Sequence, residues 1–160
     1  MLVKEKLNAF EMFDVAILWH GFTAYMRDYD VIVEVGGTGQ GRYRYRFTHC
    51  PEANVSTQVS DEVWQESWDD LYTDYQKWLD SGEPEGFVWG ASWSMAYPGL
   101  SYLDDSPLAA EWAGRFGKPM HEVVIETEVF RLKLIFHDVI IQKLSDEVNV
   151  IDKAIIPLSG

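Results

Sequence analysis

The chain has one cysteine and no long hydrophobic run. A single cysteine, Cys50, cannot form an intrachain disulfide, which excludes a secreted scaffold held by disulfide bonds. Residues 1–14 include three acids and no continuous apolar stretch, so we expect no signal peptide there. No segment approaches the ~20 apolar residues that a membrane-spanning helix needs. These absences predict a cytoplasmic protein without a membrane segment.

Basic residues are also scarce. Lys and Arg total 13 against 26 Asp and Glu, which gives a formal net charge of −13. A field of that sign repels phosphate backbones, so we expect no binding to nucleic acid. The same field attracts a basic partner, such as a basic protein. A charge that only keeps a protein soluble leaves the same signature in a sequence, so both explanations stay open.

The remaining composition is typical of one folded domain over residues 1–160. Apolar residues make up 47% of the chain, and a chain of this length can bury a core without a metal or a disulfide. The hydrophobic patterns predict an α+β fold with a mainly antiparallel sheet and about three helices. The predicted helices cover residues 3–13, 61–81 and 107–116, and the predicted strands cover 31–35, 42–47, 54–59, 87–97, 120–128 and 130–144. Helical spacing places Val3, Leu7, Phe10 and Phe13 on the apolar, core-facing side of the first helix. The turn Pro98-Gly99 is expected to end the strand 87–97.

An arginine row, Arg42, Arg44 and Arg46, alternates with aromatic residues after the glycine-rich run 36–41. Such a row is typical of nucleic-acid or anion sites, but pairing with the preceding strand explains it better. The predicted register pairs Glu34 with Arg42, Ile32 with Arg44, Asp30 with Arg46, Val33 with Tyr43 and Val31 with Tyr45. It places opposite charges across one face and apolar pairs across the other, and makes the glycine-rich run a hairpin loop.

The four histidines show no metal-site spacing; they are His20, His49, His121 and His137. No two of them have the i, i+4 separation of a zinc-binding helix, so we expect no metal and no cofactor. Cys50 precedes Pro51, and nothing in the sequence around it marks an activated thiol. A Cys–His pair that forms only in space stays open as an alternative.

Aromatic residues form two further groups. The rings of the second predicted helix lie at helical spacing; they are Trp64, Trp68, Tyr75 and Trp78. They predict a buried helix face with Trp68 in the core, and a ligand site is the alternative. The second group, Trp89, Trp93 and Tyr97, recurs every four residues. On an extended segment these three rings would share one face and form a platform for a small molecule.

The segment 20–30 is unusually dense in functional groups for a region just before a core strand. Its candidate binding residues are His20, Tyr25, Arg27 and Asp28. One interpretation is a small-molecule hydrolase with an aromatic pocket around His20 and Asp28. The alternative is a partly exposed edge strand with no chemical role.

Acidic residues concentrate between positions 61 and 85, where nine acids accompany one base, Lys77. Helical spacing puts most of these acids away from the aromatic face, so we expect a solvated acidic ridge. Asp69, Asp70 and Asp74 are the candidate binding residues on it. The leading prediction is therefore a non-catalytic protein that binds a basic protein, of which immunity proteins that neutralise basic toxins are one form.

Several motifs in one order carry a family likeness. They are HGFTAYMRDYDV, RYRFTHC, EVWQESWDD, GFVWG followed by SW and AYPG, HEVVIET, and LIFHD. Over about residues 15–138 the sequence resembles the YxiG-like family of small bacterial proteins. The resemblance does not assign an activity, a cofactor or catalytic residues to this chain.

Overall fold

The computed structural model of the chain describes residues 2–35, 41–66, 75–82 and 94–145. Its helical segments are α1 (Val3–Ala9), α2 (Asp61–Glu66), α3 (Tyr75–Asp80) and α4 (Pro107–Phe116). Its strands are β1 (Ala16–Phe22), β2 (Tyr29–Val35), β3 (Gly41–Thr48), β4 (Glu52–Thr57), β5 (Ser94–Tyr102), β6 (His121–Thr127), β7 (Phe130–Phe136) and β8 (Asp138–Leu144). The predicted antiparallel sheet with few helices is confirmed. Residues 67–74, in the middle of the second predicted helix, lie outside the described residues, as does Trp68.

The described strands form one antiparallel order, β4-β7-β6-β5-β1-β2-β3-β8. This order has an internal symmetry. If β1 is exchanged with β5, β2 with β6, β3 with β7 and β4 with β8, the same order results, read from the other edge. One half contains β1, β2, β3 and β8, and the other contains β5, β6, β7 and β4. Because β4 follows β3 but pairs with β7, and β8 follows β7 but pairs with β3, each half receives its outermost strand from the other.

The two halves share one hydrophobic core, to which both contribute fully buried side chains. The core includes Val31, Val33, Tyr45 and Phe47 from the first half and Val123, Ile125, Leu132, Leu134 and Phe136 from the second. The rings of Phe47 and Phe136 meet edge to face, with centroids 4.8 Å apart. Alternation along each strand directs these side chains to one face, which is why the halves pack together.

The predicted hairpin register is confirmed for all five pairs between β2 and β3. Arg42 Nε lies 3.2 Å from Glu34 Oε1. Arg46 donates two hydrogen bonds to the Asp30 carboxylate, from Nε to Oδ1 at 2.8 Å and from Nη2 to Oδ2 at 2.9 Å. The Asp30 side chain is only 9% exposed. The reason is position: β2 lies inside the sheet, between β1 and β3.

The first predicted helix is shorter than expected and buries a different side chain. It ends at Ala9, and Phe10 and Phe13, which helical spacing assigned to the core, are 48% and 53% exposed. Met12 is buried instead. The chain here pairs with β5, because Leu100 N donates to Met12 O at 2.9 Å and Asp14 N donates to Ala96 O at 2.8 Å.

Two other local expectations are wrong. The Pro98-Gly99 turn does not end a strand, because β5 passes through it with an irregular register between Ala96 and Gly99. The segment 20–30 is not an edge strand, because it spans the turn between two internal strands, β1 and β2. Both corrections concern pairing with distant segments, which local alternation does not encode.

Helix α4 matches the sequence closely. Ser106 Oγ accepts a hydrogen bond from Ala109 N at 3.0 Å, Pro107 is the first helical residue, and Gly117 ends the helix with φ of 68°. Trp64, in contrast, is 36% exposed rather than in the core, and its Nε1 donates to Thr57 Oγ1 at 3.1 Å. Within the described residues, no helix is long and apolar enough to cross a membrane.

The buried ion pair predicts a difference between two neighbouring arginines. Arg46→Ala should lower the free energy of unfolding by ~1–3 kcal/mol, because it leaves the buried Asp30 carboxylate without its bidentate partner. Arg44→Ala is the matched control and should cost less than ~1 kcal/mol, since Arg44 bonds to the exposed Gln142. Urea unfolding measures both, and equal losses would contradict the assignment.

A second prediction concerns the bulge in β5. At Gly99 φ is +88°, and an added Cβ would overlap the Met12 carbonyl oxygen. Gly99→Ala should therefore lower the free energy of unfolding by more than the ~1–2 kcal/mol cost of a left-handed residue alone. Gly114 in α4 has open space around it, so Gly114→Ala should be neutral or stabilise by up to ~1 kcal/mol. Thermal melts measure both: the melting temperature should fall for Gly99→Ala and stay the same or rise for Gly114→Ala. An equal fall for both variants would contradict the assigned contact between Gly99 and Met12.

Candidate functional site

The side chain of Asp28 lies in the β1–β2 turn and is 1% exposed. Its carboxylate accepts hydrogen bonds from Tyr25 OH at 2.7 Å, from Arg27 Nε and Nη2 at 3.1 and 3.0 Å, and from His49 N at 2.9 Å. Burial raises the pKa of Asp28, but these hydrogen bonds outweigh burial and lower the pKa to about 2. The structure thus brings together three predicted site residues, Tyr25, Arg27 and Asp28, as a clamp that holds the turn against the β3–β4 link.

The fourth residue of this group, His20, lies apart on β1. Its Nδ1 is 2.7 Å from Tyr29 OH, and its ring centroid is 4.5 Å from that of Phe130. Burial lowers the pKa of His20, so the imidazole is neutral at pH 7. No hydrogen bond in the described residues joins His20 to Asp28, although the ring does have the aromatic surroundings that the sequence suggested.

Two further polar candidates for chemistry are the thiol of Cys50 and the imidazole of His49. Burial raises the pKa of the Cys50 thiol to about 12, which leaves almost no thiolate at neutral pH. The buried Nδ1 of His49 has no hydrogen-bond partner among the described residues, and its ring faces that of His137 at 6.0 Å. Burial, with Lys118 and Arg27 nearby, lowers the pKa of His49. In the described part of the chain, no three His, Cys, Asp or Glu side chains form a group that could hold a metal ion.

The acidic candidates Asp69, Asp70 and Asp74 lie outside the described residues, as do Trp89 and Trp93. Residues 61–66 and 75–82 of the acidic segment are described, and Asp61, Glu62 and Asp80 are exposed there. Tyr97, the third ring of the predicted platform, is 62% exposed. It packs against Phe13 with ring centroids 5.8 Å apart.

An open groove of about 260 Å³ lies between α1, the segment after it and β5. Its lining residues are Leu7, Asn8, Glu11, Met12, Phe13, Pro98, Leu100 and Tyr102. We call this feature the α1–β5 groove. The sequence did not reveal it, because helical spacing placed Phe10 and Phe13 inside the protein. The available signal was Gly99, whose missing side chain lets β5 approach Met12 closely.

The charged side chains of α1 and of the segment after it differ in their contacts. Lys4 Nζ bonds to Asp104 Oδ1 and Lys6 Nζ bonds to Asp138 Oδ1, both at 2.9 Å. Glu11, in the lining, is exposed, and so is Asp14, which follows Phe13. The nearby cations thus have acidic partners of their own, and the groove keeps a negative rim.

Tyr102 adds a further polar group to the lining of the groove, besides Asn8 and Glu11. Tyr102 OH lies 2.6 Å from His121 Nδ1, and burial lowers the pKa of His121. A neutral imidazole joined to a phenol is a fixed polar element. The mixed lining of apolar and polar side chains, the exposed ring of Phe13 and the exposed acids suit the binding of a segment that carries both apolar and cationic side chains.

The Asp28 clamp predicts a pH-dependent stability. The lowered pKa means that ionised Asp28 stabilises the fold above its ordinary pKa of 3.8, and that this contribution disappears as the pH falls toward 2. Asp28→Asn should lower the free energy of unfolding at pH 7 by ~1–3 kcal/mol. The difference from wild type should narrow below pH 3.8. Urea unfolding between pH 7 and pH 3 measures it, with Asp104→Asn as an exposed control, and a constant difference would contradict the clamp.

Comparison with known proteins bears on the whole chain. No curated protein matches it. The family model described as YxiG-like protein matches residues 3–153, which covers both halves of the sheet, the Asp28 clamp and the α1–β5 groove. The chain belongs to the YxiG-like protein family.

Proposed function

We propose that this chain is a cytoplasmic protein that binds a basic protein partner and catalyses no reaction. The observation that carries the proposal is the charge distribution. The net charge is −13, and residues 61–85 contain nine acids and one base. Where this segment is described, at Asp61, Glu62 and Asp80, the acids are exposed to solvent. An immunity protein that neutralises a basic toxin is a concrete example of this class.

The state of the candidate catalytic groups supports binding over catalysis. The Asp28 carboxylate is fully engaged within the protein, and the Cys50 thiol is protonated. A general base needs a free acceptor in reach of substrate, and the Asp28 carboxylate is turned inward. The arginine row is likewise engaged, since Arg42 and Arg46 pair with Glu34 and Asp30. That pairing supports a protein partner rather than nucleic acid.

The alternative function is a hydrolase with an aromatic pocket near His20. Two observations favour it: the neutral imidazole and its two aromatic neighbours, Tyr29 and Phe130. Against it, the hydrogen bond between His20 Nδ1 and Tyr29 OH holds the ring inside the protein. Among the described residues, no titratable group other than Tyr29 is hydrogen-bonded to the imidazole. Binding is therefore the stronger proposal.

An acidic surface acts mainly on the rate of encounter. It draws a cationic partner over distances comparable to the Debye length, about 10 Å at 0.1 M salt. Screening removes this attraction as the salt concentration rises, while short-range contacts persist. The proposal therefore has a kinetic signature that a merely solubilising charge lacks.

The triple variant Asp69→Asn/Asp70→Asn/Asp74→Asn tests the proposal. With a basic partner recovered by pull-down, the association rate at low salt should fall about tenfold, and the difference should shrink at high salt. The matched control is Asp105→Asn/Glu111→Gln/Glu128→Gln, which removes three exposed acids elsewhere. Stopped-flow fluorescence on the native tryptophans measures the rate.

Two results would contradict the proposal. In one, no basic partner is recovered, or its association ignores both salt and the triple variant. In the other, the chain hydrolyses a small molecule and His20→Ala abolishes the turnover, which would establish the hydrolase alternative in its place.

A further inference from the structure

The α1–β5 groove is bordered by aromatic rings that the fold leaves outside. Phe13, which lines the groove, is 53% exposed, and Tyr97, whose ring packs against Phe13, is 62% exposed. Placing two large rings in water beside one groove costs free energy, and such patches on a protein surface mark interaction sites. Met12, directly before Phe13, is buried and its carbonyl accepts a hydrogen bond from Leu100 N, so this segment is fixed in place and is not a frayed helix end.

The arrangement supplies two different kinds of contact. The groove, about 260 Å³ in volume, is lined by apolar side chains, among them Leu7, Met12 and Leu100, together with the polar side chains of Asn8, Glu11 and Tyr102. It admits a side chain the size of leucine. Beside it, the Phe13–Tyr97 pair presents aromatic surface to solvent. Exposed rings of this kind attract cationic side chains through the negative charge on their faces.

Charge decides which occupant suits the groove. Glu11, in the lining, and Asp14, which directly follows Phe13 in the chain, are exposed, whereas Lys4 and Lys6 of α1 pair with Asp104 and Asp138. A second copy of this chain would bring another net charge of −13 to this surface, and like charges oppose such pairing. A basic segment meets the opposite charge on the rim.

We propose that the α1–β5 groove binds a basic segment of the partner protein. An apolar side chain of that segment enters the groove, and an adjacent arginine lies over the Phe13–Tyr97 pair, close to Glu11 and Asp14. This inference rests on the proposed function and adds a second contact to it. The acidic segment 61–85 attracts the partner, and the groove holds it.

A short peptide tests the groove without any knowledge of the partner. The probe is acetyl-Arg-Leu-Arg-amide, titrated into the full chain and followed by NMR at the methyl groups of Met12 and Leu100. Both signals should shift with one dissociation constant. Phe13→Ser/Tyr97→Ser and Glu11→Gln/Asp14→Asn should each weaken that constant about fivefold.

The controls separate groove binding from general attraction and from loss of fold. Ile140→Ser removes a side chain that is 53% exposed on β8 and should leave binding unchanged. Asparagine tolerates the positive φ of Asp14, 55°, so that variant should keep the wild-type thermal melt. The peptide acetyl-Glu-Leu-Glu-amide should not bind.

Three outcomes would overturn the inference: equal binding of both peptides, shifts that avoid Met12 and Leu100, or self-association of the chain through Phe13 and Tyr97. Because this test uses a peptide, it fails independently of the acidic segment. A partner that responds to Asp69→Asn/Asp70→Asn/Asp74→Asn but ignores both groove variants would preserve the proposed function and refute the groove.

Discussion

Phe47 and Phe136 lie edge to face, 4.8 Å apart and fully buried, at the ends of β3 and β7. Directly after them the chain crosses from one half of the sheet to the other, and His137 N donates to Thr48 O at 2.9 Å where the two links meet. This contact allows each half to receive its last strand from the other. The shared core and the Asp28 clamp, which lies on the β3–β4 link, depend on it.

Local patterns predicted the features that depend on local physics. The pairs Glu34–Arg42 and Asp30–Arg46 follow from charge and apolar alternation on two strands joined by a short loop. Helix α4 follows from Ser106, Pro107 and Gly117, each of which acts through its own backbone geometry. The exchange of β4 and β8 between halves has no such signal, because it depends on packing between residues far apart in the chain, such as Thr48 and Asp138, which are 90 positions apart.

The candidate sites divide in the same way. The density of polar groups at Tyr25, Arg27 and Asp28 suggested chemistry, but the structure turns them into a clamp, since a buried carboxylate must satisfy its oxygens within the protein. The α1–β5 groove is the opposite case, because residues predicted to lie in the core form an exposed surface. Spacing assigned Phe10 and Phe13 to the core, and only the pairing of the segment around Met12 with β5 exposes them.

By the proposed function, the protein presents carboxylates to a basic partner. Zero-length carbodiimide coupling, which joins a carboxylate directly to an amine, measures this most directly when the chain is mixed at low salt with lysate of the cells that produce it. Mass spectrometry then maps each joined position. We predict links from partner lysines to acids within residues 61–85 and to Glu11 or Asp14. Links that concentrate on Glu126 and Glu128 near the β6–β7 turn, or that spread evenly over all exposed acids, would contradict it.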